Sequence, residues 1–173
     1  MEKLVLIDGH SILNRAFYGV PNLTNSEGLH TNAVYGFLNI LFKVLDEEKA
    51  DYLAVAFDLK APTFRHKMFD AYKGTRKPMP EELHEQVPLM KEVLTAMGVP
   101  ILTKEGYEAD DILGTIAKRE QKDGYEVTIL SGDRDLLQLS DTHIRICLPK
   151  TSRGTTEVHN YYPEDVIREY QVT

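Results

Sequence analysis

Five short apolar runs punctuate the chain, at Lys3–Ile7, Tyr52–Phe57, Val99–Leu102, Val127–Leu130 and Ile144–Leu148. The clearest of them are continuous rather than alternating, the pattern of strands covered on both faces of a parallel sheet. The segments between them carry helical periodicity. Thr31 is placed to N-cap a helix over Asn32–Glu47, with Val34, Phe37, Leu38, Leu41, Val44 and Leu45 on one face. Pro80 opens a helix over Glu81–Met97 that Gly98 closes; another runs over Ala109–Lys122, and Pro163 starts a last one reaching Tyr170. Pro21–His30 reads as a polar turn, and the prolines of Arg76–Pro80 rule out continuous helix there. Strands alternating with helices predict βαβ units joined by right-handed crossovers. The fold class is therefore α/β, a mostly parallel central sheet flanked by helices.

Three of these runs end in a carboxylate or just before one: LVLID at Asp8, LAVAFD at Asp58, and VTILSGDRD at Asp133 and Asp135. A further cluster, YEADDIL, puts Glu108, Asp110 and Asp111 at the start of the helix after the third strand. Ligands of open α/β sheets bind beyond the carboxyl ends of the strands, so a parallel sheet predicts seven acids on one rim. Two unit charges about 4 Å apart repel by about 4 kcal/mol at an effective dielectric of 20. Such a group must hold protons or cations. Oxygen donors without His or Cys partners favour Mg²⁺ or Mn²⁺, and an excess of carboxylates suggests two ions, the arrangement used for phosphodiester displacement. The alternative for each acid singly is a helix cap: Asp133 for a short helix Arg134–Leu139, and Glu108, Asp110 and Asp111 for the helix they open. Neither Asp8 nor Asp58 obviously starts a long helix.

The 173 residues, 42% hydrophobic and 27% charged, suit one domain with its own core. The apolar run after Met1 is too short for a secretion signal, and nothing approaches a membrane span. The single Cys147 excludes an internal disulfide, fits a reducing cytoplasm, and is expected as a small core residue on a late strand. Net charge is −7, which alone argues against nucleic acid. Its distribution argues otherwise. Lys60, Arg65, Lys67, Lys73, Arg76 and Lys77 crowd one stretch that holds a single acid, Asp70. Cations interleaved with Phe69 and Tyr72 suit a single strand, with phosphates on the charges and bases on the rings. A solvated face is the alternative for Lys60 and Lys67, and a structural hydrogen bond for His66. Arg15 and Tyr18 are weaker candidates of the same kind; Phe17 is expected in the core, and Gly36 as a packing glycine.

The motifs IDGHSILNRAFYG, AFDLKAPTFRHKMFDAYKGTRKPMPEEL, GYEADDILGTIA and LSGDRDLLQL, in this order and spacing, resemble the 5′-nuclease domain of bacterial DNA polymerase I. That domain belongs to the flap-endonuclease group of the PIN-like, resolvase-like fold, and the resemblance covers nearly all of 1–173. It implies that Asp8, Asp58, Glu108 and Asp110 hold a first metal, with Asp133 and Asp135, beside Asp110 or Asp111, contributing to a second. It implies that Lys73 and Arg76 face the scissile phosphate from an arch over the 5′ strand, with Tyr72 beside them, and that Arg15 and Arg65 touch the substrate strand; Tyr18 and His66 stay nucleic-acid candidates on the residue pattern alone. The implied activity is structure-specific removal of 5′ flaps and 5′ nucleotides from DNA, and of RNA primers, in replication and repair. A polymerase domain follows in full-length members. The chain's end at Thr173, short of the family's GDSSDN-like segment and its helix-hairpin DNA-binding region, predicts feeble activity from these residues alone. Other readings are a different PIN-like ribonuclease and a non-catalytic module of the same fold. A haloacid dehalogenase-type phosphatase is set aside, because its Asp-x-Asp belongs at the first strand, where this chain has Asp8-Gly9-His10.

Overall fold

The computed structural model describes residues 2–21, 23–58, 80–152 and 155–170. Strands β1 (Lys3–Asp8), β2 (Tyr52–Ala56), β3 (Ile101–Leu102), β4 (Glu126–Leu130), β5 (Ile144–Ser152) and β6 (Thr155–Tyr161) form one sheet in the order β3-β2-β1-β4-β5-β6. All pairings are parallel except β5 with β6. The α/β reading therefore stands, with one strand it lacked: β6 is a polar antiparallel edge. The third strand is also shorter than its apolar run, confined to Ile101–Leu102.

Helices α1 (Gly9–Gly19), α2 (Asn32–Glu48), α3 (Glu81–His84), α4 (Gln86–Ala96), α5 (Ala109–Lys122) and α6 (Pro163–Tyr170) accompany the sheet, with a 3-10 turn over Arg134–Leu139. Period-two geometry divides β1 between two cores. Val5 and Ile7 enter one shared with α1, α2 and α4, while Leu6 enters another beneath α5 with Ala109, Leu113 and Ala117. Burying both faces of β1 is what demands an unbroken LVLI.

Three expectations need correction. The single helix over Glu81–Met97 is two helices hinged at Glu85, because Pro88 has no N–H for the His84 carbonyl and its ring crowds that group. Thr31 lends no side-chain hydrogen bond to α2. Instead buried Gln86 accepts from the N–H groups of Ala33 at 2.8 Å and Val34 at 3.2 Å, a cap delivered from another helix. Helix α1 starts directly from β1 with no intervening loop, and Asp8 is its N-cap. Phe17 packs against the core as expected. So does Gly36: a Cβ there would lie 2.8 Å from the Ala16 Cβ, so α1 and α2 approach closely only because it is glycine. Cys147 is buried on β5, donating from Sγ to Asn160 Oδ1 at 2.8 Å.

Candidate metal centre

The sheet order reverses between β1 and β4. From β1 the chain builds outward to β2 and β3, and from β4 to β5 on the other side, which leaves a crevice at the carboxyl ends of the two central strands. Asp8 is the last residue of β1, Asp58 lies two residues past β2, and Ser131-Gly132-Asp133 follow β4. Helix α5 opens at the same edge with Glu108 as its N-cap.

Capping and convergence turn out to be one arrangement. Asp8 Oδ1 accepts from the Ser11 N–H at 3.4 Å, at the start of α1. Asp58 Oδ1 accepts from the Ala109 N–H at 2.6 Å, so an acid after β2 caps α5 across the rim. Glu108 and Asp111 form a capping box, Asp111 Oδ2 accepting the Glu108 N–H at 3.0 Å. Asp133 Oδ1 accepts from the Asp135 N–H at 2.9 Å, capping the 3-10 turn. Each α-helix N-terminus carries roughly half a positive charge. Two of them, from α1 and α5, face this edge and hold carboxylates that would otherwise repel.

The compensation is incomplete. Asp8 is 7% exposed, and its pKa rises from 3.8 to about 7, through burial first and then the neighbouring charges of Asp58 and Asp110. Ser131 counteracts by donating from Oγ to Asp8 Oδ2 at 3.1 Å. The serine hydroxyl also receives the Asp133 N–H at 3.0 Å and lies 3.4 Å from Ser11 Oγ, which takes the Gly132 N–H at 2.8 Å. A chain of small polar groups thus ties the ends of β1 and β4. Glu108, Asp110 and Asp111 each offer an oxygen, all within 4.8 Å of one another. Among the described residues the buried Glu108 Oε1 accepts no hydrogen bond, while the side chain is held by its capping box and by further contacts. A donor set made only of carboxylates, one of them short of a favourable ionised state, fits a hard divalent cation.

His10 does not join that set as a cation. Its Nδ1 accepts the Asp58 N–H at 3.2 Å, so the 3.8 Å approach of the same nitrogen to Asp58 Oδ2 is not an ion pair. Its ring meets Phe57 edge-on at 5.2 Å. Gly9 completes this packing. A Cβ there would lie 2.6 Å from the Phe57 ring, so only glycine lets Phe57, and Asp58 after it, sit against α1.

The structure thus gathers Asp8, Asp58, Glu108, Asp110 and Asp111 at one edge, with Asp133 joined through Ser131. Asp135 is exposed in the 3-10 turn, and its backbone rather than its carboxylate is tied to Asp133. Arg15 donates from Nη2 to the Gly132 carbonyl at 3.4 Å and, with Tyr18, lines an open cavity beside the crevice. Arg65, His66, Tyr72, Lys73 and Arg76 lie outside the described residues. Sequence reasoning missed Gly9, Ser11 and Ser131. The one available signal was position: Ser131 is the first residue after the β4 run, where the next side chain must face the crevice.

A mostly parallel sheet whose order reverses beneath a rim of acids fits the resolvase-like, PIN-like class of α/β fold. Residues 3–171 match the family described as 5′-3′ exonuclease, N-terminal resolvase-like domain, and the chain belongs to that family. DNA polymerase I of Bacillus caldotenax is 49% identical over 172 residues, covering 99% of this chain; the chain spans 19% of that relative's length. Among solved structures, a bacteriophage T5 5′-exonuclease with bound zinc superposes with a TM-score of 0.73 at 23% identity, over 99% of this chain and 62% of the other. A T5 flap endonuclease complexed with DNA and metal ions gives 0.73 at 22% identity, over 99% and 61%. At those identities the likeness carries the fold.

Proposed function

We propose that this chain carries the catalytic centre of a 5′-3′ exonuclease and flap endonuclease, which hydrolyses DNA phosphodiesters at 5′ ends and 5′ flaps with Mg²⁺ or Mn²⁺. The observation that carries the reading is the rim itself: buried Asp8, pushed to about 7 by its surroundings, beside Asp58 and Asp110. Family membership and the metal-bound T5 neighbours support it.

In this reading Asp8, Asp58, Glu108 and Asp110 hold one ion, and Asp133 and Asp135, beside Asp110 or Asp111, contribute to a second. Such a pair, when bound, supplies an activated water and stabilises the leaving oxygen of an in-line displacement. The chain's own work is positional. Ser131 and the helix N-termini fix the carboxylates, and Arg15 receives a backbone phosphate at the crevice mouth. Tyr18, 68% exposed, offers a ring to the strand. Lys73 and Arg76 neutralise the reacting phosphate, with Arg65, His66 and Tyr72 along the strand. The substrates are 5′-flap and 5′-ended DNA and RNA primers on DNA, and the setting is a longer polymerase. We place it in the cytoplasm, a compartment that a single cysteine suits.

The test is cleavage of a 5′-flap DNA beside single-stranded RNA of the same sequence, with Mg²⁺, with Mn²⁺ and with chelator. The reading predicts divalent-dependent cutting near the flap junction and loss of it in Asp110→Asn. Cutting in the presence of chelator, or RNA alone being cut, contradicts it.

A further inference from the structure

A second cavity, of about 520 Å³, lies against α5 where β3 ends. Its floor is apolar, from Leu102, Ile112 and Ile116, and its rim carries Lys104 and Tyr107. The two rim residues flank a tight turn: the Tyr107 N–H donates to the Lys104 carbonyl at 3.2 Å, and Gly106 takes φ +84°. Lys104 Nζ stands 4.6 Å from the centroid of the Tyr107 ring, which is 41% exposed. Asp111 lines this cavity and also belongs to the acid group. One side chain therefore borders both, and an occupant of the cavity is a neighbour of whatever the acids hold.

The volume falls within the roughly 300–1,000 Å³ of small-molecule sites. The lining selects the occupant. An apolar floor and an aromatic rim favour a flat, weakly polar ring. The Asp111 carboxylate repels an anionic one. The Lys104 ammonium is wasted on a hydrocarbon but pairs with a phosphate attached to such a ring. We infer that this cavity takes a nucleobase of the strand whose phosphate lies at the acid rim, stacked by Tyr107, with Lys104 on the adjoining phosphate. The inference rests on the nuclease reading and adds a subsite to it. The subsite fixes how far past the reacting phosphate the strand is gripped.

The probe is 5′-flap DNA with 2-aminopurine replacing one nucleotide at a time around the junction, read by stopped-flow fluorescence before turnover. Stacking is expected to quench emission at one position only. Tyr107→Leu should abolish that quench and weaken DNA binding roughly tenfold or more, while Tyr107→Phe should retain both. Lys104→Met, at an exposed position, should weaken binding with the quench kept, and gives an independent reading if Tyr107→Leu proves unstable. DNA that binds and is cut equally by wild type and Tyr107→Leu, with the same emission at every position, overturns the subsite and leaves the nuclease reading standing. A wild type that takes up no Mn²⁺ by calorimetry and neither binds nor cuts DNA overturns both.

Discussion

The two ends of the sheet treat their acids in opposite ways. At the amino ends of β4 and β5, Asp141 and Glu126 each have a partner of another kind. Asp141 accepts from Lys118 Nζ at 2.9 Å and Gln121 Nε2 at 3.2 Å, and Glu126 lies 2.6 Å from His143 Nδ1. Asp141 is accordingly lowered to about 2, by Lys118 first and then the Thr142 N–H. At the carboxyl ends Asp8 is raised to about 7, by burial first and then by the carboxylates of Asp58 and Asp110. Acids paired with cations serve the fold. Acids that share a buried rim and raise one of their number, even where amides cap them, are explained by something they bind.

The largest test of that contrast is Asp110→Asn. It should lower flap cleavage on the order of 10²–10³-fold and weaken Mn²⁺ binding by calorimetry. Asp8→Asn should act in two directions at once. The folded pKa of Asp8 exceeds its unfolded value, so metal-free stability is greatest below about 3.8, falls as pH rises through about 7, and is flat above. Asn removes that slope. Above pH 7 the metal-free variant should be more stable than wild type by up to about 4 kcal/mol, yet gain nothing from added Mn²⁺. Denaturant melts across pH, with and without the ion, read both effects; a wild type with no slope breaks the contrast.

How much of this could be read from the chain alone depends on the range of the interactions. Strand ends and their acids were legible because a doubly buried strand must stop where the first charge appears, as at Ile7-Asp8. Helix α5 was legible to the residue, since its acids, its apolar spacing and the Asp123-Gly124 stop agree. Helix α1 was not, because it follows β1 without a turn and buries only Gly9, Ile12, Leu13 and Ala16. The cap of α2 was invisible for a different reason: Gln86 lies more than fifty residues from the N–H groups it serves. For the rim acids, capping and metal binding looked like alternatives, whereas Asp8, Asp58 and Asp133 each cap a helical segment at the crevice. β6 hid in a polar run, as edge strands do.

Smaller effects sharpen the picture. Ser131→Ala removes the hydrogen bond that favours ionised Asp8, and should weaken Mn²⁺ binding about 10–100-fold with little change in melting temperature. Gly9→Ala drives a methyl into the Phe57 ring and should destabilise by about 1–3 kcal/mol, measured by denaturant titration, with reduced ion affinity because Asp58 follows that ring. The smallest change belongs to the opposite end of the sheet. Asp141→Asn should lose about 1 kcal/mol or less, because the pair with Lys118 is exposed. The folded pKa of Asp141 is depressed, so its contribution is present above about 3.8 and disappears as pH falls towards 2. Mn²⁺ affinity should not change.

Crystals grown with Mn²⁺ test the central claim most directly, through the anomalous signal of the ion. Density in contact with Asp8, Asp58, Glu108 and Asp110, at the carboxyl ends of β1 and β4, is the predicted result. An empty crevice at saturating Mn²⁺, or ions found only beside Asp141 and Glu126, would contradict it.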